Sequence, residues 1–324
     1  MKKPSLSEIL ANPIVRALNP HDQNFIEVRW LSSHLNPYCS HGIEVGAAVA
    51  FMNLPHIKVV AAFGMMMEDF EKGVYDGIDT LVVPSSGNTA HGVALLAPAF
   101  GISCVKVIMS SDAPEAKKSV ITMIPWARLI CPEGSRSVEG VALEEANRPG
   151  SHLLDQYKHP GNVRIHEACT GPQLLRAAGD KLGLVAIGMG SGGTVTGVAH
   201  YLKKVWSDII VVGVRPKPGE RVPGVRDRKQ MDAVVTLPYK SAVNAIEEVG
   251  REESFVAARK LISEVQPQSG PSAGLAYAGL LQYLANSPEV RDLLRGKRAV
   301  FLCADDGRFY PGPTMSTLDP NQGL

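Results

Sequence analysis

The sequence predicts an α/β protein built on parallel sheets with helices on both faces. Three observations predict it: short apolar runs rich in β-branched residues recur along the chain, helical patterns separate them, and Pro, Gly or polar residues close each run. The strand-like runs are "TLVVP" (80–84), "ISCVKVIM" (102–109), "ARLICP" (127–132), "LVAIGMG" (184–190), "DIIVVGVRP" (208–216) and "RAVFLCA" (298–304). Between them lie helical stretches such as "TAHGVALLAPAFG" and "EESFVAARKLISEV". Segment 215–240 carries Pro216, Pro218, Gly219, Pro223, Gly224 and Pro238 and reads as an irregular surface loop or a lid. In such folds ligands sit at the carboxyl ends of the strands, so the strand-to-helix junctions are where chemistry is sought.

Composition bounds the function. A chain of 324 residues, 45% hydrophobic and 20% charged, can bury a core for one large or two closely joined domains. Lys plus Arg (33) nearly balance Asp plus Glu (32), which leaves no basic field for nucleic acid and points to small molecules or a second copy of the chain as partners. The five cysteines are scattered without a C-x-x-C pair, and the nine histidines show no ligand spacing, so no metal is expected. Reduced thiols fit a cytoplasmic protein. "MKKPSLSEIL" has no apolar segment behind its lysines, and no apolar run approaches the roughly 20 residues of a membrane span, so neither a signal peptide nor a membrane anchor is expected.

Three places along the chain carry candidate chemistry. In "MNLPHIKVV" (52–60) a single lysine, Lys58, stands between a turn-like Asn-Leu-Pro and an apolar stretch. It is either a solvated lysine at a helix start or an amine that does chemistry, and position alone leaves both open. In "VVPSSGNTAHG" a strand runs into Ser85-Ser86-Gly87-Asn88-Thr89 and then a helix. N-capping explains one such residue, whereas a run of hydroxyls, an amide and N–H groups suits a carboxylate or phenolic oxygen. In "IGMGSGGTVTG" a strand meets Gly188, Gly190, Gly192 and Gly193 before a helix beginning near Thr194. Glycines let backbone N–H groups approach an anion, and the helix N-terminus adds about half a positive charge, so the junction reads as a phosphate cradle. The same glycines satisfy G-x-G-x-x-G, which keeps a dinucleotide-binding oxidoreductase as a remote alternative, although the next strand ends in Arg215-Pro216 and lacks the acidic residue expected for a ribose. Glycines that only permit tight strand–helix packing are the bland alternative.

Together these residues carry a resemblance. "SSGNTAHG", "IHEACTGPQLL", "GSGGTVTGV", "SGPSAG" and "CADDGRFY" occur in the order and context of the cysteine synthase and cystathionine β-synthase family. These are pyridoxal 5'-phosphate-dependent enzymes of fold type II, similar to the tryptophan synthase β chain. The similarity runs from about residue 45 to about residue 310, and the combination is more specific than any one motif. It implies two α/β domains, each with a central, mostly parallel sheet flanked by helices. Residues 1–61 and 164–324 would form the larger, cofactor-phosphate-binding domain and 62–163 the smaller, substrate-binding domain. A homodimer is implied as well.

The family's Schiff-base lysine falls on Lys58 when one residue is dropped from the preceding turn, and the 30 residues from Lys58 to Asn88 match the family's spacing. An alternative match through "NPYCSH" places that position on Gly42 and would leave the cofactor without an anchor. The surroundings depart from the pattern: Val59-Val60 stand where the family has Asp-Arg, and His56 replaces a small residue. As the resemblance implies, Asn88 faces the cofactor's phenolate oxygen, while Gly190, Ser191, Gly192, Gly193 and Thr194 wrap its phosphate. Ser272 faces the pyridine nitrogen, and a hydroxyl there limits how far the ring withdraws electrons, which favours chemistry at Cβ. Ser85, Ser86, Gly87, Thr89 and Gln156 resemble the amino-acid carboxylate site.

The implied reaction is β-replacement on a serine- or cysteine-like amino acid through an aminoacrylate, with sulfide or another small nucleophile as acceptor. Lys58 would be the catalytic base, and it must be neutral to act. β-Elimination or deamination by a lyase of the same fold, and a non-catalytic pyridoxal-phosphate-binding relative, remain alternatives. "VPGVRDRKQM" places Arg226, Arg228 and Lys229 where the family has a mostly apolar loop. They are either a solvated surface or, for Arg226 and Arg228, contacts to an anionic substrate.

Overall fold

The computed structural model describes residues 3–85, 87–113 and 115–310. Its strands are β1 (Glu27–Trp30), β2 (Glu44–Val49), β3 (Thr80–Pro84), β4 (Cys104–Ile108), β5 (Ala127–Ile130), β6 (Ser151–Leu153), β7 (Leu182–Gly188), β8 (Ile210–Pro216), β9 (Ala245–Val249) and β10 (Arg298–Cys303). Its α-helices are α1 (Leu6–Ala11), α2 (Pro13–Leu18), α3 (Lys58–Glu71), α4 (Asn88–Leu96), α5 (Glu115–Thr122), α6 (Val138–Ala146), α7 (Pro160–Ile165), α8 (Gly171–Ala178), α9 (Gly193–Val205), α10 (Arg228–Val234), α11 (Tyr239–Ala242), α12 (Arg251–Leu261), α13 (Pro271–Asn286) and α14 (Pro288–Leu293).

The chain divides into two units: residues 1–23 with 58–165, and residues 24–57 with 166–324. The first holds a four-stranded sheet in the order β5-β4-β3-β6, parallel throughout. β3 is buried along its whole length, as expected of a central parallel strand read as the unbroken apolar run "TLVVP". One face packs Val82 and Ile108 under Val141 and Ala142 of α6. Helix α3 packs against α4 and α7. At its head Gly92 of α4 brings the two backbones together: a Cβ there would lie 3.2 Å from Val59 Cα and 3.3 Å from the Lys58 carbonyl oxygen.

The second unit holds a six-stranded sheet in the order β1-β2-β10-β7-β8-β9, in which only β1 runs antiparallel to its neighbour. Val212, Val214, Ala299, Phe301 and Leu275 belong to its core. Helix α13 is buried from Pro271 to Leu280 and packs on α12, β7, β8 and β10. Proline at its start supplies a φ already suited to a helix and gives up an N–H that no intrahelical bond needs. α12 places Glu252 and Glu253 in its first turn and Arg259 and Lys260 in its last, each complementing the helix dipole.

Segment 215–240, expected to be irregular, contains a helix. α10 begins at Arg228 because Asp227 caps it: the Asp227 carboxylate accepts from Gln230 N–H at 2.8 Å, and the Gln230 side chain accepts from Asp227 N–H at 3.2 Å. That reciprocal pair is the capping box, and the prolines before it obscured its signature.

Candidate active site

In the first unit, Lys58 is the first residue of α3 and is half-buried. The close approach at Gly92 sets its backbone against α4, whose first residue is Asn88. Lys58 and Asn88 therefore head two helices in backbone contact. Gly42, the alternative lysine position, sits exposed in a left-handed turn with φ 71° at the end of the short turn Cys39–His41.

The residues around Asn88 form one hydrogen-bonded set. The Ser85 hydroxyl accepts from Gly87 N–H and Ala90 N–H, both at 3.2 Å, so it serves the helix start as a cap. Gly87 holds φ 139°, a backbone state that side chains rarely adopt, and the Lys117 stem lies 3.1 Å from where its Cβ would be. Thr89 donates its hydroxyl to Gln156 Oε1 at 2.7 Å, and Asn162 Nδ2 donates to the Gln156 carbonyl at 2.7 Å. Thr89 and Gln156, 67 positions apart, are thus brought into direct contact and buried. Ser86 lies outside the described residues. Burial lowers the affinity of His91 on α4 for a proton, which leaves the ring neutral at neutral pH.

In the second unit, β7 ends at Gly188 and α9 begins at Gly193. Gly192 precedes the helix with φ 81° and provides no side-chain cap. The N–H groups of the first turn are thereby oriented outward from a helix of 13 residues. Gly190 approaches the neighbouring loop so closely that a Cβ would stand 2.6 Å from the Gly224 carbonyl oxygen. Ser191 and Thr194 are buried beside these glycines. Arg226 N–H donates to the Met189 carbonyl at 2.9 Å, which joins segment 222–226 to the same turn. Arg228, by contrast, is largely exposed and lies 3.6 Å from Asp232 on its own helix.

Ser272 occupies the second position of α13 and is buried. The start of that helix is fixed by Gly270 N–H donating to the Asp305 carbonyl at 3.0 Å and by a bridge between Ser269 and Asp306. The Tyr310 hydroxyl bonds the Asp305 carboxylate. A Cβ on Gly224 would lie about 4.0 Å from Ser272 Oγ and 3.8 Å from Tyr310 Oη, so the loop carrying Gly224 borders this helix start.

Two groups of residues escaped the sequence reading. His166 is fully buried, with Nδ1 2.8 Å from Thr170 Oγ1 and Nε2 3.1 Å from Thr194 Oγ1. It opens a π-helical turn, His166–Thr170, between α7 and α8. The H-x-x-x-T spacing was a usable signal, since residues four apart on a helix face each other. Asp69, His152 and His159 form the second group, and only the fold brings them together: His152 Nε2 stands 3.1 Å from Asp69 Oδ2 and His159 Nε2 2.9 Å from Asp69 Oδ1. Among the thiols, burial pushes Cys169 and Cys303 up to about 12, far above the range of a nucleophilic cysteine.

Comparisons with known proteins bear on the family and the fold. A model of the family described as "Pyridoxal-phosphate dependent enzyme" matches residues 57–303. Cysteine synthase B of Escherichia coli (strain K12) is 28% identical over 236 residues, covering 72% of this chain and 77% of its own. Cystathionine beta-synthase of Dictyostelium discoideum is 31% identical over 264 residues, covering 76% of this chain and 51% of its own, so the chain spans about half of that relative's length. In three dimensions, the structure of O-ureido-L-serine synthase superposes with a TM-score of 0.80 at 21% identity, over 97% of both chains. That likeness establishes the fold.

Proposed function

Because the chain belongs to the pyridoxal-phosphate-dependent enzyme family, we propose that it catalyses β-replacement on a serine- or cysteine-like amino acid. The observation that carries this reading is the backbone contact at Gly92, which joins the helix headed by Lys58 to the helix headed by Asn88. A fold type II enzyme needs an amine and a polar helix start on neighbouring elements, and these residues supply both.

The residues present fit the cofactor. Glycines 190, 192 and 193, with the uncapped first turn of α9, suit a phosphate dianion, because a side chain at Gly190 would collide with the Gly224 carbonyl and N–H donors remain for the anion. Ser272 would meet the pyridine nitrogen with a hydroxyl, Asn88 would meet the phenolic oxygen, and Lys58 would hold the aldehyde carbon. When bound, the cofactor supplies an electron-accepting ring that stabilises negative charge at Cα.

The chain's own residues then divide the work. Thr89, Gly87 and Gln156 would bind the substrate carboxylate, with Ser85 holding the backbone of that helix start in place. Lys58, neutral, would take the Cα proton as general base and return it at the end of the cycle. The Cβ–X bond breaks with its electron pair leaving on X, and the incoming nucleophile supplies the pair for the new bond at Cβ. Sulfide or another small nucleophile fits the acceptor role; if none adds at Cβ, the unsaturated amino acid left by loss of X would be released and hydrolysed by water to a 2-oxo acid and ammonia, a lyase outcome. We assign substrate binding to the first unit and phosphate binding to the second. The five cysteines form no disulfide among the described residues, which supports a reducing, cytoplasmic setting, and a homodimer is our reading of the oligomer.

The test is the purified holoenzyme, titrated with a panel of β-substituted serines and with cysteine, followed by sulfide. A change in the cofactor's visible absorbance with one of them, and a β-substituted product on adding the nucleophile, is the expected result. Absence of any spectral response across the panel would leave a binding protein without this chemistry.

A further inference from the structure

We infer that Asp69 is a positioning residue for substrate binding, its carboxylate clamping both ends of the loop that carries Gln156. This rests on the assignment of Gln156 to the amino-acid site. His152, the middle residue of β6, and His159, just before α7, bracket the loop, and each donates its Nε2 proton to a different oxygen of the same carboxylate, at 3.1 Å and 2.9 Å. The tautomer of His159 is fixed by its other nitrogen: Nδ1 accepts from Gly161 N–H at 3.0 Å, so Nε2 carries the hydrogen that Asp69 receives. Asp69 itself is buried on α3, and two N–H donors are what a buried carboxylate requires. The buried Tyr75 ring packs edge-on against His152, with centroids 6.1 Å apart.

Inside the bracket the loop is shaped around Asp155. Its side chain accepts from Tyr157 N–H at 2.9 Å, and its carbonyl accepts from Lys158 N–H at 3.2 Å and His159 N–H at 2.9 Å. Gln156 sits in this turn, and its side chain reaches Thr89 at the head of α4. A series of hydrogen bonds therefore runs from Asp69 to His159, from the His159 carbonyl through Asn162 to the Gln156 carbonyl, and from the Gln156 side chain to Thr89. Asp69 lies eleven positions after Lys58 on the same helix, roughly 16 Å along its axis. One rigid helix thus presents the amine at its head and anchors the carboxylate-binding loop three turns later, fixing the distance between proton acceptor and substrate anchor.

The test compares holoenzyme of wild type, Asp69→Asn, Gln156→Ala and the double variant. Asparagine keeps the shape but offers one acceptor where two donors arrive. The expected result for Asp69→Asn is a KM for the donor amino acid raised about tenfold, with kcat held within about twofold and KM for the nucleophile unmoved. In the Gln156→Ala background the same substitution adds no further rise, because both act through one loop. Hydrogen exchange of the amides at 154–159 should quicken in Asp69→Asn. Should that variant fail to fold, His152→Ala removes one contact from the partly exposed side and carries the same expectation in direction. Additive effects with Gln156→Ala, unchanged exchange at 154–159, or a lowered melting temperature with KM unmoved would each overturn the clamp. If wild type turns over no amino acid, the β-replacement reading fails, while the exchange rates still decide the clamp.

Discussion

His166 and Thr194, 28 positions apart, face each other with Nε2 and Oγ1 at 3.1 Å in the buried floor of the glycine-rich turn. If Thr194 is to donate its proton to a phosphate oxygen, it must accept from His166 Nε2–H. His166 Nδ1 must then accept from the Thr170 hydroxyl, 2.8 Å away. The polarity of the whole row follows from the ligand it serves. His166→Phe should therefore weaken cofactor retention about tenfold, the equivalent of one net hydrogen bond, without ending turnover at saturating cofactor. Gly192→Asp should abolish retention outright, since φ 81° strains any side chain and a carboxylate repels the phosphate. Equilibrium dialysis of pyridoxal phosphate measures both, and undiminished binding by Gly192→Asp would sink the cradle assignment.

Lys58→Ala should end turnover and remove the visible band of lysine-bound cofactor, while the phosphate turn still holds the cofactor non-covalently. Borohydride converts a lysine-bound cofactor into a stable secondary amine, so peptide mass spectrometry of reduced wild type should find the adduct on Lys58. An adduct elsewhere, or normal turnover by Lys58→Ala, contradicts the assignment.

The sequence was legible for most central strands and for one edge strand, β5, which reads as "ARLICP", whereas the internal β2, "EVGAAV", was not read as a run because its Gly and Ala dilute the β-branched signal. β3, β8 and β10 are central or near-central and read directly as apolar, β-branched runs. β1, β6 and β9 are edge strands, and "SHL" and "AIEEV" carry polar side chains because one side of each meets solvent; no run announces them. The glycine-rich turn was legible for a similar reason, since its chemistry is local. Asp69 was not: its partners lie 83 and 90 residues away, and an aspartate inside an amphipathic helix looks like any solvated charge until the sheet brings β6 alongside.

The basic loop separates into two unlike residues. Arg228 is spent near Asp232 at the surface, whereas the backbone of Arg226 is bonded to the turn after β7. Of the two, Arg226 is therefore the one proposed here as a contact to an anionic substrate group. Arg226→Ala should raise KM for a phosphorylated or dicarboxylic donor by about tenfold or more, the loss of one charge-assisted hydrogen bond, and Arg228→Ala should leave it within twofold. Equal effects of the two substitutions would return the loop to a solvated surface.

Asp69 also makes a prediction about stability and acid. Burial works against its ionisation, but hydrogen bonds from His152 and then His159, with their charges when protonated, outweigh it and hold the carboxyl at about 2. An unfolded aspartate titrates near about 3.9, so the folded state binds its proton more weakly. The resulting stabilisation is fully present above about pH 4 and is lost as pH falls toward 2, about half of it by pH 3. Its size is on the order of 2 kcal/mol. Asp69→Asn has no carboxyl to protonate and lacks this contribution, so the gap between the urea midpoints of wild type and variant should be present above about pH 4 and should narrow steadily below it. A gap that stays constant down to pH 3 would mean that the two histidines do not hold the carboxylate in its ionised form.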